Sequence, residues 1–244
     1  MNLVIDRGNT HLKYGIFDQC KLVATDSTNF LDKNDIKKLV KEFDISNAIL
    51  SSVVEERNDI LAKNIQEETN FFLELSHLTL LPFSWNYKSK ETIGKDRLAA
   101  VAGAIELYPQ KDILVFDAGT ALTYEVIDHT GTFLGGNISP GMQMRFKALN
   151  TFTSRLPLLK SNADAPFIGT STQEAIEAGV QNSISLEIEG LIDHFRGNYP
   201  HLTSIITGGD AEFFARKVKN PIFVAPNLVL IGLNRILEYN AQHI

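Results

Sequence analysis

The chain has 244 residues, 44% hydrophobic and 21% charged, with a net charge of -6 at neutral pH. This is enough chain for one large domain or two small ones, of ordinary globular composition. The acidic balance disfavours nucleic acid or an anionic membrane as partner, and no apolar run approaches the roughly 20 residues of a membrane span.

The first strand reads from Leu3 to Asp6, and His11–Asp18 and Lys21–Thr25 follow as a second and third. Between the first two lies Asp6-Arg7-Gly8-Asn9-Thr10, a polar hairpin tip. Such a tip gathers backbone N–H groups, a hydroxyl, an amide and a carboxylate, the groups a nucleotide phosphate and its Mg²⁺ require. The same residues also make an ordinary turn. Apolar residues at Ile36, Leu39, Val40 and Phe43 predict a helix over 32–43. Asn47–Val53 reads as a strand, 56–69 as a helix with Ile60, Leu61 and Ile65 inward, and 70–76 as an ambiguous segment. Thr79–Gly94 is irregular and carries Trp85, which suits either a functional surface or a lid over the local core. A helix rich in small residues follows, Arg97–Tyr108, with Pro109 as its stop.

Ile113–Asp117 is again a strand, and here the chain repeats itself. Asp117-Ala118-Gly119-Thr120-Ala121 echoes Asp6–Thr10 at an offset of 111 residues (117 − 6). Each copy follows a short apolar run and opens a three-strand meander, the second through Leu122–Asp128 and Thr132–Asn137. A duplicated domain is the economical reading, with lobes 1–110 and 111–244 and a cleft between them offering an Asp-Gly turn from each side. A helix over 142–151 comes next, then a loop with Pro157 and Pro166. Ser171-Thr172-Gln173-Glu174 has the capping-box pattern and opens a helix to about Phe195. Ser204–Thr207 is a strand leading to Gly208-Gly209-Asp210 and a short helix to Val218. Ile222–Ala225 is a last strand, and Val229–Tyr239 a last helix. The lone Cys20 excludes an intrachain disulfide, and with no basic and apolar leader pattern at the N-terminus the expectation is a cytoplasmic protein. The six histidines have no metal-ligand spacing.

The order and spacing of these motifs resemble type III pantothenate kinase, a family of the acetate and sugar kinase, Hsp70 and actin superfamily. The resemblance rests on Asp6–Thr10, Gly94-Lys95-Asp96-Arg97, Asp117–Ala121, Gly135–Gly141, the helix start at Thr172, and Thr207-Gly208-Gly209-Asp210. It implies an α/β fold of two ribonuclease H-like, actin-like ATPase lobes with mixed sheets flanked by helices. It also implies ATP-dependent phosphorylation of pantothenate, the opening step of coenzyme A synthesis, by a homodimer. Two positions depart from the family pattern: Arg7 stands where a small apolar residue is usual, which bears on nucleotide affinity, and Lys95 where alanine is common.

Carried onto this sequence, the resemblance assigns Asp6, Arg7, Gly8, Asn9, Thr10, His11, Leu12, Lys13 and Thr120 to ATP, with Asp6 on the Mg²⁺ that accompanies it. Lys13 reads equally as a solvated strand lysine. Asp96 is the candidate general base toward the primary hydroxyl of pantothenate. On position alone it reads as the N-cap of the helix beginning at Arg97. Arg97 offers a planar fork to the pantothenate carboxylate, or is a surface residue. Tyr87, Gly94, Lys95 and Thr172 complete the substrate set, and Tyr87 without the resemblance is a lid aromatic. Asp117 is assigned a monovalent cation, K⁺ or NH₄⁺, where residue type alone allows a second Mg²⁺ ligand or a structural turn. The Gly208–Asp210 turn is expected to pack near the adenosine. The rival classes are a nucleotide-binding regulatory protein of the same fold and a kinase for another small hydroxy acid.

Overall fold

Unbroken burial along the first strand decides the layout of the first half of the molecule. In β1 (Asn2–Arg7), Leu3 and Ile5 point to one side of the sheet and Val4 to the other, all of them fully buried. A strand buried on both faces needs helices on both sides. The computed structural model describes residues 1–8, 11–52 and 58–243. It divides into two units, Met1–Pro109 with Asn227–Ile244, and Gln110–Pro226.

The first unit adds β2 (Leu12–Asp18), β3 (Lys21–Thr28), β4 (Asn47–Ser52) and β5 (Phe71–Glu74) to β1 in the order β3-β2-β1-β4-β5. The β1–β2 and β2–β3 pairs are antiparallel, the β1–β4 and β4–β5 pairs parallel. One face, with Leu3, Ile5, Ala48 and Leu50, packs on residues of α1 (Lys33–Phe43) and α2 (Asn58–Glu68) such as Ile36, Leu61 and Ile65. The other, with Val4 and Ile49, packs on α3 (Lys95–Leu107) and the terminal helix Leu228–Ala241 through Ala99, Ala102, Leu233 and Leu237. A two-residue strand β6 (Ser84–Trp85) and a 3₁₀ turn, Lys90–Thr92, lie in the segment before α3. Asp32 caps α1 by accepting from the Asn34 and Asp35 N–H groups, and Asp35 returns the bond, so the helix begins one residue after the cap.

The second unit repeats the plan. Here β7 (Ile113–Ala118), β8 (Ala121–Ile127), β9 (Thr132–Pro140), β10 (Thr203–Thr207) and β11 (Phe223–Val224) lie in the order β9-β8-β7-β10-β11, with the same antiparallel and parallel pairings. The helices are α4 (Met142–Thr151), α5 (Thr172–Arg196) and α6 (Ala211–Ala215). Apolar residues of α5 at helical spacing, Ile176, Val180, Ile184, Ile188 and Ile192, share a core with Phe116, Phe146 and Ile206. The shared strand order bears out the duplicated α/β reading.

Three expectations are corrected. The terminal helix belongs to the first unit, not to the 111–244 lobe, because its apolar face finds α3 and β1 there. Ile60 is exposed while Leu61 and Ile65, four residues apart, face the core, as one helical stripe requires. The Ser171 pattern is half a capping box: Ser171 accepts from Glu174 N–H, but the Glu174 carboxylate turns to the N–H and hydroxyl of Thr170. Val53, at the end of the expected fourth strand, lies outside the described residues.

The α3–terminal helix contact is backbone against backbone. A Cβ on Gly103 would stand 2.3 Å from the Leu228 carbonyl oxygen, and one on Gly232 would stand 1.7 Å from that of Ala99. Asn234 pins the same helix to the sheet by accepting from Asn2 Nδ2 at 2.9 Å and donating to the Gln19 carbonyl at 2.9 Å. Gly232→Val is therefore expected to cost at least about 3 kcal/mol in urea denaturation. Gly190→Ala, on α5 with nothing within 4 Å of the added methyl, is expected to gain up to about 1 kcal/mol in the same measurement.

Candidate active site

In the first unit the site grows from the ends of two parallel strands. Asp6 on β1 is in register with Ser51 on β4. Neighbours in register on a parallel pair point to the same face, and two residues back on each strand are Val4 and Ile49. Asp6 and Ser51 thus continue the face that carries α3. Ser51 is fully buried, and its Oγ makes no well-formed hydrogen bond among the described residues. It is nonetheless near enough to Asp6 to favour the ionised carboxylate, as is Lys13. Burial and then the Asp96 carboxylate act the other way and win, raising Asp6 from 3.8 to about 6. Two carboxylates from distant parts of the chain share one electrostatic site here. A buried hydroxyl left unpaired costs about 1–3 kcal/mol, so its presence at this spot needs a reason.

Asp96 is not the cap of its helix. Gly94 is the N-cap, and Asp96 sits in the first turn of α3 with Oδ1 accepting from Arg97 N–H at 2.8 Å. A Cβ on Gly94 would fall 2.4 Å from that same Oδ1, so the missing side chain at 94 is what leaves the carboxylate its place. Arg97 is not on the surface: it is 5% exposed, its Nη1 lies 3.4 Å from the Tyr87 hydroxyl, and its guanidinium stands 5.7 Å from the Tyr87 ring centroid. Lys95 is partly exposed beside them. Asp6, Lys13, Asp96, Arg97 and Tyr87 therefore all belong to this unit, with Ser51 the member that sequence reading passed over.

The tip of the first hairpin is closed by Gly8 N–H donating to the His11 carbonyl at 3.1 Å. Asn9 and Thr10, both expected at the phosphates, lie outside the described residues. The His11 ring is 3.0 Å from Asn29 Oδ1, and the Leu12 side chain is buried in the core, which leaves its backbone to face a ligand. Arg7 lines a cavity of about 680 Å³ with Leu12, Asn29, Lys33 and Ile60. Among the described residues no three His, Cys, Asp or Glu side chains form a metal cage. One carboxylate at a strand end, with a buried hydroxyl beside it, fits Mg²⁺, which keeps several waters and takes its other ligands from phosphates.

In the second unit Asp117 is the last residue but one of β7, in register with Thr123 on one side and Thr207 on the other. Gly119 N–H donates to Ala121 O at 3.0 Å, closing a tip that corresponds to the first. Gly208 has φ +95, and a Cβ there would stand 2.4 Å from Asp117 Oδ1 and 2.5 Å from the Ala118 carbonyl. Glycine is required by conformation and by contact at once, and it lets the Gly208–Asp210 turn close on the Asp117 carboxylate. Gly209 by contrast has nothing within 4 Å of its Cβ position. Asp210 N–H donates to Ala118 O at 2.9 Å, and burial raises the Asp210 carboxyl. Thr120 is exposed, and Thr172 is exposed as the first residue of α5.

A family model described as type III pantothenate kinase matches residues 2–194. The chain is 45% identical over 241 residues to the type III pantothenate kinase of Phocaeicola vulgatus, covering 98% of this chain and 99% of that one. It is 41% identical to that of Christiangramia forsetii, with 98% and 99% covered. Among solved structures, a Campylobacter jejuni protein assigned to the Baf family of transcriptional activators superposes with a TM-score of 0.65 at 25% identity, over 98% of this chain and 99% of that one. A glucokinase from Streptomyces griseus with glucose and AMPPNP gives 0.56 at 9% identity, over 98% and 99%, a likeness of fold alone. With the duplicated sheet order and the motif order on the same chain, the conclusion is direct: the chain belongs to the type III pantothenate kinase family.

Proposed function

We propose that the protein transfers the γ-phosphoryl group of ATP to pantothenate, giving 4′-phosphopantothenate and ADP for coenzyme A synthesis. The observation that carries this reading is the pairing of Asp6 with Asp96 in one unit, beside a buried arginine that holds a tyrosine. Phosphoryl transfer depends on positioning and charge neutralisation. Asp6 holds the Mg²⁺ that accompanies ATP, and that ion supplies neutralisation of phosphate charge. The Gly8 turn, Arg7, Asn9, Thr10, His11, Leu12 and Lys13 line the triphosphate, and Thr120 is assigned to ATP as well. Arg97 and Tyr87 take the pantothenate carboxylate, Gly94 and Lys95 flank it, and Thr172 contacts the same substrate. Asp96 accepts the proton of the primary hydroxyl as its oxygen bonds to the γ-phosphorus and the bond to the β–γ bridging oxygen breaks. Asp117, cradled by Gly208, holds the monovalent cation.

The homodimer is supported by apolar side chains left exposed on the second unit. Ile138 of β9, Met144 of α4 and Leu186 of α5 are 64%, 43% and 54% exposed. Their sequence neighbours Ser139, Arg145 and Glu187 are bonded to one another, which ties β9, α4 and α5 together. A cytoplasmic location is in keeping with the free, exposed Cys20. The regulatory alternative has in its favour the designation of the Campylobacter jejuni relative.

Release of ADP with Mg-ATP, with and without pantothenate, separates the readings. Pantothenate-dependent turnover, faster in K⁺ than in Na⁺, is expected. Turnover absent in both sinks the kinase and favours the regulator, and equal rates in the two salts remove the cation from Asp117. Asp96→Asn is expected to keep ATP binding in calorimetry and lose at least about 10² in turnover.

Asp6 generates a pH prediction in metal-free protein. Its folded pKa lies above its ordinary value, so the folded state holds the proton more tightly. That advantage is whole below about pH 4, shrinks as pH rises, and is gone above about pH 6. Asp6→Asn lacks it. The stability of the wild type relative to Asp6→Asn is expected to fall by about 2 kcal/mol between pH 4 and pH 7 in urea denaturation, while the variant loses Mg-dependent turnover at every pH.

A further inference from the structure

Strand β4 runs from Asn47 to Ser52 and is buried from Ala48 onward, yet it ends in two hydroxyl side chains. A strand that is covered on both faces would be more stable with apolar residues there. Ser51 lies in register with Asp6, has no exposure at all, and its Oγ has no well-formed hydrogen-bond partner among the described residues. Its register on the parallel pair puts the side chain on the same face of the sheet as Asp6. A hydroxyl both donates and accepts, so it bridges a carboxylate oxygen and a metal-bound water, which an alanine or a thiol of the same bulk does poorly.

We propose that Ser51 is a positioning residue for the Mg²⁺ site: its buried hydroxyl orients the Asp6 carboxylate and takes one hydrogen bond in the hydration shell of the ion. The inference rests on the kinase reading, in which Asp6 carries the metal. Mg²⁺ at a site of this kind retains several waters, and each retained water needs an acceptor or donor around it. Groups that orient a metal's ligand commonly change affinity for the ion by about 10–100-fold when removed. Ser51 is thus kept for a ligand shell and not for the fold, and its removal separates the two.

The test is calorimetric titration of Mg²⁺ into the full chain with ADP present, for wild type, Ser51→Ala, Ser51→Cys and Asp6→Asn, alongside ADP affinity without metal and thermal melting. The expected result is Mg²⁺ affinity about tenfold weaker in Ser51→Ala and in Ser51→Cys, with metal-free ADP affinity unchanged and the melting temperature of Ser51→Ala no lower than wild type. The turnover each loses at low Mg²⁺ is recovered by raising Mg²⁺. Mg²⁺ affinity within about twofold of wild type in Ser51→Ala, against a large loss in Asp6→Asn, overturns the role of Ser51 and leaves the kinase reading standing. Full recovery in Ser51→Cys overturns it too, since bulk and not hydrogen bonding would then be what matters. Unchanged Mg²⁺ affinity in Asp6→Asn is a failure of the underlying assignment of the metal to Asp6. A fall in metal-free ADP affinity or in melting temperature together with Mg²⁺ affinity marks general damage and overturns the proposal.

Discussion

Two glycines decide where the first unit's chemistry can stand. At Gly103 and Gly232 the backbones of α3 and the terminal helix touch, with no room for a single methyl group between Gly232 and the Ala99 carbonyl. The close crossing lets Ala99, Ala102, Leu233 and Leu237 reach the same sheet face as Val4 and Ile49. Seven consecutive residues of α3, Leu98–Ala104, are buried as a result, so the helix is clamped on all sides. Its first turn, with Gly94, Asp96 and Arg97, can then be delivered to the ends of β1 and β4 with little freedom to move. The last segment of the chain thereby supports residues some 130 positions earlier (232 − 103 = 129).

What that clamp delivers is electrostatically unfavourable by itself. Asp6 is held where burial and Asp96 both resist its ionisation, and the opposing pull of Ser51 and Lys13 does not restore the ordinary value. Folding alone gains nothing from a like-charge arrangement in a half-buried place, and cores of this kind are more stable without it. An arrangement of this type is a recurrent sign of a site prepared for a cation or for proton transfer. The buried Ser51 hydroxyl, whose pull on Asp6 falls short of a well-formed hydrogen bond, is a second polar group held at the same strand ends. Arg97 shows the opposite balance: its guanidinium is buried against Tyr87, pre-oriented at the cost of desolvation, as recognition of a planar anion demands.

Much of this was legible in the residues. Apolar runs ending in Asp6 and Asp117 marked both hairpins, and the 111-residue echo between them anticipated two sheets of the same strand order. The helix expected over 142–151 after the Pro140-Gly141 turn is α4, Met142–Thr151, with the same limits. Other features have no one-dimensional trace. The terminal helix is amphipathic whichever unit it joins, and only the fit of Gly232 against Ala99 decides. Asp96 has the composition of an N-cap, but the helix starts two residues earlier than that role requires because Gly94 takes the cap position. Ser51 was invisible because a serine at a strand end is unremarkable until register sets it beside a carboxylate. Burial of Arg97 is a property of the α3 clamp and not of any local pattern.

The duplication itself explains why two similar hairpins need not do similar work. Both tips close by a glycine N–H bonding across the turn, Gly8 to His11 and Gly119 to Ala121, so the second is one residue tighter. Neighbours then separate the two carboxylates further. Asp6 faces a second acid and a lysine from its own unit, whereas Asp117 is pressed by the Gly208 turn, whose backbone brings the Ala118 carbonyl and the Asp210 N–H together. The two tips thus differ in length and in the element that faces each carboxylate, so one repeated plan sets its two acids in different surroundings.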